Sequence, residues 1–482
     1  MSAIRPARDK NEKFTWIIEP TGSMRVPGVI YATESIIEDL DGTKALQQVV
    51  NVACIPGVLK GSFAMPDIHE GYGFPIGGVA AVPADEGYIT PGGIGYDINC
   101  GVRVLLSPLT EDVVKERLER LVDALFRKVP SGVGKEGPIA LSKDELSRVL
   151  TEGARWAVKK GYGLEEDLLH CEEGGAMQGA DPKAVSERAF SRGRRGIGTL
   201  GSGNHFIEAG TVEEIFDEET AKVYGLFPRQ VVFWVHSGSR GLGHQVCSDY
   251  IAVMRKAVAK YGPTLPDRQL DGAPLSSPEG RQYFSAMAAA ANYAWANRQV
   301  LTHYVRQVAC EVFPEIGGQE NLPLLYDVAH NIGKMETHTV DGRQVRVLVH
   351  RKGATRSFPP GHPDIPEKYR DKGQPVLVPG DMGRASYILR GTEEAMHLSF
   401  GSACHGAGRA KSRSEAKRSF SAEELQGELR EKGIYVRAAS KDGLIEEAPS
   451  AYKDVQEVVL ATDGASLAKK VARLRPLVVI KG

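Results

Sequence analysis

The sequence predicts an α+β fold in which a mixed β-sheet core lines one deep cleft and helices pack outside it. Residues 50–105 are rich in glycine and aliphatic side chains, which is typical of short buried strands joined by tight turns. From Thr110 onward apolar residues recur at helical spacing, and an Ala-rich stretch after Ser277 predicts another long helical segment. Strand-like and helix-like segments therefore occupy separate stretches, as in α+β proteins.

Capping residues and apolar periodicity predict the individual elements. Ser142 with Glu145 and Ser421 with Glu424 form capping boxes, and Pro278 suits the first turn of a long helix. The predicted helices cover about 113–126, a segment starting at 142, 278–313 and 421–433, and the predicted strands cover 231–235, 345–349, 376–378 and 477–480.

The stretch from about 109 to 195 is mainly helical and interrupts a chain that is otherwise rich in strands. Segments that carry chemically reactive side chains lie on both sides of this stretch. We therefore predict a single domain over 1–482, with 109–195 as a helical excursion within it.

Composition and charge limit the location and the partners. The net charge of -1 excludes a surface that is basic throughout, so a nucleic acid would have to bind local patches. No signal peptide and no apolar run long enough to span a bilayer is recognisable, which predicts a cytoplasmic protein without a membrane partner. The six cysteines show no CxxC spacing and are expected to be thiols.

Common nucleotide-binding and hydrolase motifs are absent or incomplete. Residues 196–201 (GIGTLG) match GxGxxG, but the preceding residues do not form a strand. Residues 406–412 (GAGRAKS) resemble a P-loop, but Ala410 replaces the glycine that precedes Lys411. HExxH and GxSxG do not occur. The sequence predicts neither a Rossmann nor a P-loop fold, although a Gly-rich basic turn can still hold phosphate through backbone amides.

Four of the twelve histidines lie in turns rich in Gly, Ser and Asn, and Asp97 and Cys100 add a carboxylate and a thiol. This composition suits a metal centre assembled from distant loops, and the softness of thiolate and imidazole favours zinc. Taken singly, such a histidine is more often buried in a core, and a free cysteine more often packs as a small hydrophobe. The four histidines are His205, His236, His330 and His405.

Seven segments form a specific set. They are 65–78 (MPDIHEGYGFPIGG), 96–101 (YDINCG), 203–206 (GNHF), 235–241 (VHSGSRG), 329–331 (AHN), 404–409 (CHGAGR) and 480–482 (IKG). Each segment is a weak signal alone, but together, in this order over nearly the whole chain, they resemble the signature blocks of RtcB-type RNA ligases.

The resemblance implies an RtcB-type fold and a catalytic domain that spans the chain. It implies a GTP-dependent ligase with two manganese ions as cofactors, which joins RNA 3′-phosphate or 2′,3′-cyclic phosphate ends to 5′-hydroxyl ends. The family's settings are tRNA splicing, in which the ends belong to tRNA halves, and RNA repair. It also implies archease as an activating partner. The 3′-phosphate is expected to be activated by GMP that an enzyme nucleophile first carries.

The resemblance also assigns the reacting residues. His405 would be the nucleophile that carries GMP, and Asp67 would hold its imidazole in the reactive tautomer. Cys100 would bridge the two metal ions. The metal ligands are Asp97 and His205 on one ion, His236 and His330 on the other, and Cys100 on both.

Guanine nucleotide contacts carry over to a larger set, and Asp381 stands at a position that varies within the family. The set is Asn204, His205, Phe206, Glu208, His330, Asn331, Pro379, Gly380, Asp381, Met382, Ser386, His405, Gly406, Ala407, Gly408, Tyr452 and Lys481.

Basic residues near these segments are candidates for RNA binding, because contacts to phosphate depend on position more than on base sequence. The alternative is that each basic cluster is a solvated face. The candidates are Arg192, Arg194, Arg195, Arg240, Arg409, Lys411 and Arg413.

Two other classes of protein compete with the ligase. One is a metal-dependent phosphoesterase that acts on RNA ends without a covalent nucleotide, and the other is a non-catalytic RNA-binding protein with a structural metal. His405 and the guanine nucleotide set favour the ligase, because a hydrolase needs no guanine pocket. A structural zinc site would normally be a compact cluster of ligands close in sequence.

Overall fold

The computed structural model describes residues 4–418 and 421–482, and of Arg413 it describes the backbone only. Its β-structure extends from the first described residues to the last. The strands are β1 (Ala7–Arg8), β2 (Thr15–Ile18), β3 (Gly28–Tyr31), β4 (Ser62–His69), β5 (Ile76–Pro83), β6 (Tyr88–Ile89), β7 (Gly101–Thr110), β8 (Phe206–Ile215), β9 (Gln230–Ser237), β10 (Ala273–Pro274), β11 (Leu324–Ala329), β12 (Asn331–Val340), β13 (Arg343–Lys352), β14 (Ala354–Arg356), β15 (Pro375–Val378), β16 (Ser386–Gly391), β17 (Ser402–Cys404), β18 (Tyr435–Ala438) and β19 (Ala468–Lys481).

Helices are interspersed with the strands. The α-helices are α1 (Glu34–Leu40), α2 (Lys44–Val52), α3 (Glu111–Val114), α4 (Leu118–Lys128), α5 (Lys143–Glu152), α6 (Ala154–Lys159), α7 (Glu166–Leu169), α8 (Glu187–Gly193), α9 (Glu218–Tyr224), α10 (Arg240–Tyr261), α11 (Pro278–Val312), α12 (Glu393–Ser399), α13 (Arg413–Ala416), α14 (Ala422–Glu431), α15 (Lys441–Glu446) and α16 (Val455–Gly464). Short 3-10 helices lie at Pro91–Gly93, Lys115–Arg117, Glu172–Gly175, Pro182–Ala184, Arg268–Leu270, Pro314–Ile316, Gln319–Asn321, Glu367–Tyr369 and Pro449–Ala451.

The strands of the described ranges form two large sheets and two small ones, so the fold is mixed α/β with several sheets. One large sheet has the order β1-β2-β3-β4-β5-β13-β12, and the other has the order β11-β7-β9-β8-β19-β16-β15, with β18 added beside β19. β6 pairs with β10, and β14 pairs with β17. Pairing is antiparallel except for β3 with β4 and β18 with β19.

The capping signals located several helices correctly. α5 follows Ser142, whose hydroxyl accepts from the Glu145 amide while the Glu145 carboxylate accepts from the Ser142 amide. The same exchange between Ser421 and Glu424 precedes α14. The strand predicted at 477–480 is the end of a longer one, β19, because its earlier residues pair with β8 and β16 as well.

The long helix α11 lies in the interior, which differs from the expectation that helices pack outside the sheets. Each residue from 286 to 302 is fully buried. Alanine recurs on all sides of this segment, so neighbouring elements can approach it from every direction, and a helix that is apolar all round is a buried helix. Its Arg298 guanidinium is paired with Asp327 at 2.8 Å and donates to the carbonyls of Asn99 and Ser237.

Four neighbouring strands bring their ends together at one edge of the eight-stranded sheet. Gly101, the first residue of β7, pairs with Ala329 at the end of β11 and with Ser237 at the end of β9. Phe206, the first residue of β8, pairs with His236. This register places the turns that precede β7 and β8 beside the turn that follows β11.

No described helix combines the length and the apolarity that a bilayer crossing needs.

Candidate active site

Side chains with metal-ligand chemistry meet at this sheet edge. Cys100 immediately precedes β7, His205 precedes β8, His236 lies near the end of β9, and His330 links β11 to β12. The pairing of the four strands therefore gathers residues that are up to 230 positions apart in sequence. Asp97 lies in the turn before Cys100.

The donor atoms of the five residues form a row in which each lies within contact distance of the next. Cys100 Sγ is 3.3 Å from His205 Nε2 and 3.2 Å from His236 Nε2. His236 Nε2 is 3.3 Å from His330 Nε2, and Asp97 Oδ2 is 2.8 Å from His205 Nε2. All five predicted metal ligands are thus adjacent, in the order Asp97, His205, Cys100, His236, His330.

The tautomer of His205 follows from its second nitrogen. Nδ1 lies 3.0 Å from the carbonyl oxygen of Leu200 and 3.0 Å from the Arg240 guanidinium. These contacts require opposite tautomers. A carbonyl can only accept, so the Leu200 bond puts the proton on Nδ1 and leaves the Nε2 lone pair facing Asp97 Oδ2 and Cys100 Sγ, where a cation can bind it.

Burial sets the charge state of the cluster. It lowers the pKa of His205, His236 and His330, which keeps these imidazoles neutral and able to donate a lone pair. Burial, followed by the charge of Asp97, holds the pKa of the Cys100 thiol well above its usual value. Burial alone would raise the pKa of Asp97, but His205 and Arg240 outweigh it and the net shift is downward.

These residues fit a divalent metal centre. In the described part of the chain, Cys100, His205 and His236 form a buried group whose ligand atoms all lie within 4.8 Å of one another. Neutral imidazole nitrogens that face each other and a thiol leave lone pairs without donors, and a cation is the group that satisfies them together. A soft sulfur with imidazoles and one carboxylate suits several transition metals.

His405 lies beside the cluster and is held by Asp67. Its ring centroid is 4.8 Å from that of His330. Its Nδ1 is 2.5 Å from Asp67 Oδ2, which also accepts from the backbone amides of His405 and Gly406. Asp67 is fully buried, whereas the His405 side chain is 12% exposed. The carboxylate therefore fixes Nδ1–H as the donor and leaves Nε2 as the nucleophilic nitrogen.

The turn after His405 requires glycine at position 408. Gly408 has φ +73°, and a Cβ there would lie 2.4 Å from the carbonyl oxygen of Asp67. Any larger residue would separate the turn from β4, which carries Asp67 at an irregularity in its pairing with β5. The glycine thus keeps His405 and Asp67 in contact.

A cavity of about 220 Å³ opens beside His405. Of the predicted nucleotide contacts, only His205 and Ser386 do not line it; Ser386 instead accepts from the Gly380 amide at 3.2 Å. The predicted contacts that line it are Asn204, Phe206, Glu208, His330, Asn331, Pro379, Gly380, Asp381, Met382, His405, Gly406, Ala407, Gly408, Tyr452 and Lys481.

Buried ionisable groups line the part of this cavity formed by β8 and β19. Burial, with the nearby Asp381, raises the pKa of Glu208 to about 8, so its carboxyl group is largely protonated at neutral pH. Glu208 Oε1 is buried and has no hydrogen-bond partner among the described residues. Burial lowers the pKa of Lys481, whose ammonium lies over the Phe206 ring. A ligand with complementary donors would satisfy Glu208.

Two ionisable residues of this cavity escaped the sequence prediction, as did the lining residues Ile76, Gly353 and Val479. Glu447 is buried and contacts three cavity residues: Arg409 at 3.0 Å, Lys481 at 3.4 Å, and the Tyr452 hydroxyl. His69 also lines the cavity, and its Nδ1 lies 2.8 Å from the Asp67 carbonyl. Burial lowers the pKa of His69 to about 4, so it is a neutral hydrogen-bonding group.

Nothing in the sequence marks Glu447 as a cavity residue, since Glu446 and Glu447 look like an ordinary pair of acidic residues at a helix end. The buried Lys481 implies that some counter-charge is present, but not which residue supplies it. His69 stands in the same segment as Asp67, and that proximity was the available signal.

A second, larger cavity of about 890 Å³ reaches the metal-ligand cluster at Asp97 and His205. Four of the predicted RNA-binding residues line it. Gly201 makes room for one of them, because a Cβ at that position would lie 1.8 Å from the Arg240 guanidinium. The four residues are Arg192, Arg194, Arg195 and Arg240.

The other three RNA candidates lie on the nucleotide side. Arg409 lines the smaller cavity, and its guanidinium lies 5.2 Å from the centre of the Tyr452 ring. Lys411 is exposed, and its amide donates to the Ala451 carbonyl. Arg413 begins α13, and its side chain lies outside the described part of the structure.

A mixed α/β fold whose sheet edge gathers a Cys/His/Asp metal site beside an Asp-oriented histidine defines a class of metal-site enzyme. Comparisons with known proteins narrow the class. The family model described as tRNA-splicing ligase RtcB matches residues 48–482. The chain therefore belongs to the RtcB family of tRNA-splicing ligases, which confirms the predicted family and the predicted enzyme class, an RNA ligase.

Relatives with the same name cover almost the full chain. The tRNA-splicing ligase RtcB of Thermococcus kodakarensis is 56% identical over 98% of this chain and 98% of its own length. The ligase of that name from Archaeoglobus fulgidus is 53% identical over 95% of each chain, and the one from Aeropyrum pernix is 51% identical over 98% of each chain.

Proposed function

We propose that this chain is a cytoplasmic, GTP-dependent ligase that joins RNA 3′-phosphate or 2′,3′-cyclic phosphate ends to 5′-hydroxyl ends, with tRNA halves as substrates in splicing or broken RNAs in repair. The whole of 1–482 acts as one catalytic domain, 109–195 forms a helical excursion in it, and the cavity beside His405 is the inner part of its deep cleft. Archease is its expected activator.

The observation that carries the proposal is the position of His405. Its exposed edge lines the small cavity, its Nδ1 is held by Asp67 at 2.5 Å, and its ring lies 4.8 Å from that of the ligand candidate His330. A nucleophile, a nucleotide-sized recess and a metal site are thus adjacent. An enzyme that only hydrolysed phosphate esters would need no nucleotide recess beside the histidine.

The reaction proceeds in three displacements. His405 Nε2 attacks the α-phosphorus of GTP, forming an N–P bond while the P–O bond to pyrophosphate breaks. A 3′-phosphate oxygen of the RNA, present from the start or formed when water adds to a 2′,3′-cyclic phosphate and its P–O2′ bond breaks, then attacks the same phosphorus, the N–P bond breaks, and the RNA end carries GMP. Finally the 5′-hydroxyl loses its proton and attacks the RNA phosphorus, and GMP leaves.

The chain's own groups assist each displacement. Asp67 accepts from His405 Nδ1–H and stabilises the positive charge that develops on the ring when Nε2 attacks. In the 406–408 turn the Gly406 amide donates to Asp67 and the Ala407 amide to the Pro379 carbonyl, so the Gly408 amide is the group of this turn that can approach the α-phosphate, without side-chain interference. Asp97, Cys100, His205, His236 and His330 would hold two manganese ions, which when bound neutralise charge on the phosphate oxygens.

Guanine specificity rests on Glu208 and Lys481 at the β8–β19 side of the cavity. A Glu208 carboxylate can accept from both N1–H and the exocyclic amine of guanine, a pairing that adenine cannot make. Lys481, held beside Glu447 at 3.4 Å, can donate to the guanine carbonyl. Arg192, Arg194, Arg195 and Arg240 bind the RNA phosphates in the larger cavity.

The test is transfer of label from GTP to the protein. Purified chain is incubated with Mn²⁺ and GTP labelled at the α-phosphate, denatured, and examined for retained label, for wild type, His405→Ala and the control His397→Ala, an exposed histidine of α12. Label that is stable in base, lost in acid and absent only from His405→Ala is the expected result. Absence of label from wild type with bound metal demonstrated would favour the phosphoesterase.

A further inference from the structure

Three aromatic rings form a column at the wall of the larger cavity. The Tyr96 and His244 rings are stacked, with centroids 4.8 Å apart and planes inclined by 29°. The edge of Tyr72 packs against Tyr96 at 5.5 Å. Tyr96 and His244 both line the cavity together with the arginines, and His244 is exposed. The column therefore ends, at His244, in a ring accessible from the cavity.

The column lies directly beside the reacting centre. Tyr96 is followed in sequence by Asp97, whose carboxylate lies 2.8 Å from His205 Nε2. His244 lies in the second turn of α10, the helix that begins at Arg240. A strand that enters this cavity and brings its end to Asp97 and His205 therefore lies in the same cavity as Tyr96 and His244.

The cavity is lined by arginines and by aromatic rings, which suit the phosphates and the bases of an RNA strand respectively. Guanidinium groups of Arg192, Arg194 and Arg240 bind phosphates, whereas flat rings bind the faces of bases. Burial, followed by the charge of Arg192, lowers the pKa of His244, so its ring is neutral and stacks as an aromatic surface. Stacking of this kind is tolerant of sequence, because every base presents a π-face.

We propose that the Tyr96–His244 stack is a platform for the nucleobase at the RNA terminus being joined, the incoming base adding a further ring to the column on His244. The platform holds the terminal nucleotide while its phosphate or hydroxyl reaches the metal-ligand cluster. This inference rests on the proposed ligase function, since it assigns a substrate contact of the same site.

The experiment compares His244→Ala with His244→Phe, which keeps a ring but removes the nitrogens. The matched control is His362→Ala, because His362 also packs on an aromatic ring, that of Phe358 at 4.0 Å, but lines neither cavity. Each variant is assayed for GMP labelling and for RNA joining over a range of RNA concentrations. The RNAs carry either normal junction nucleotides or an abasic nucleotide at one junction position.

The expected result is a KM for RNA about ten- to a hundredfold higher in His244→Ala, with near wild-type values in His244→Phe and His362→Ala. GMP labelling stays at the wild-type level, because His244 does not line the nucleotide cavity. An abasic nucleotide at one of the two junction positions raises the KM of wild type for RNA by a similar factor. The same abasic nucleotide raises the KM of His244→Ala only slightly further.

The outcomes separate the two proposals. If wild type carries GMP and joins RNA while His244→Ala has an unchanged KM, or if an abasic junction nucleotide weakens His244→Ala as much as wild type, the platform is refuted and the ligase stands. If wild type forms no GMP adduct, the ligase proposal itself fails.

Discussion

The two cavities that reach the metal-ligand cluster differ in construction. The one beside His405, about 220 Å³, is lined by backbone turns and by buried charged groups such as Glu208 and Lys481. The one beside Asp97, about 890 Å³, is lined by guanidinium groups, and some of these form exposed ion pairs, as Arg195 does with Glu136. Buried, hydrogen-bonded groups can select one small ligand, whereas exposed charges hold a polymer of any sequence.

The largest expected effect comes from Cys100, which contacts one candidate ligand that lines each cavity. Cys100→Ala removes the thiol that lies 3.3 Å from His205 and 3.2 Å from His236, so metal affinity should fall by about a hundredfold or more. GMP labelling and RNA joining should both disappear. Metal content measured by elemental analysis, together with labelling, checks this. Cys310→Ala, on α11 and away from the cluster, is the control. Full metal occupancy in Cys100→Ala would contradict the assignment of Cys100.

Substitution of Asp67 should impair the reaction of His405 with GTP without affecting the metal site. Asp67→Ala should lower the rate of GMP labelling by about 10³- to 10⁴-fold, because His405 loses both its orientation and its counter-charge. Asp67→Asn should cost less, about a hundredfold, since an amide oxygen can still accept from His405 Nδ1–H and from the two backbone amides. Rapid-quench labelling gives the rates, and metal content should stay at the wild-type level. Equal rates for the two variants would show that the charge alone matters.

The sequence indicates a metal centre because Asp97, Cys100 and the histidines stand in segments rich in Gly, Ser and Asn, and the resemblance to the RtcB family then assigns the individual ligands. Glycine-rich turns around His205 and His405 are a local signal, and capping boxes at Ser142 and Ser421 are local as well. Such local signals can be recognised in the sequence because they depend only on residues that are neighbours along the chain. The predicted ligands and most of the predicted nucleotide contacts accordingly fall around one site.

Features that depend on distant contacts could not be predicted. Glu447 is an ordinary acidic residue until the fold brings it to Arg409 and Lys481. The stack of Tyr96 on His244 joins positions with no shared motif. Both basic clusters were predicted to bind RNA, yet Arg409 lines the nucleotide cavity while the arginines of 192–195 line the larger one. Tertiary pairing decides which cavity a guanidinium faces.

Glu208 should make nucleotide binding depend on pH. Its pKa is raised to about 8, so the group is mostly protonated at pH 7 and ionises as the pH rises through 8. The carboxylate is the form that accepts two hydrogens from guanine, so GTP affinity should increase about tenfold from pH 7 to 8.5. Glu208→Gln should bind GTP about ten- to a hundredfold more weakly and without this pH dependence.

Calorimetric titration with GTP at fixed Mn²⁺ measures both effects. Glu214→Gln, a change on the exposed part of the same strand, should follow the wild-type curve. Affinity that falls with rising pH would mean that the protonated carboxyl is the binding form, and the preference for guanine would then need another explanation.

The smallest effect is expected in the larger cavity, where single charges are exposed. Arg195 is paired with Glu136 at 2.9 Å and is 58% exposed, so Arg195→Ala should weaken RNA binding by a few-fold at moderate salt. Loss of one phosphate contact should reduce the slope of log affinity against log salt by about 0.7. Binding isotherms at several salt concentrations measure that slope. The control is Arg473→Ala, because Arg473 lines neither cavity.

GMP labelling should not change in Arg195→Ala, because Arg195 lies outside the nucleotide cavity. A variant that kept the salt slope but lost labelling would mean that the two cavities do not work separately.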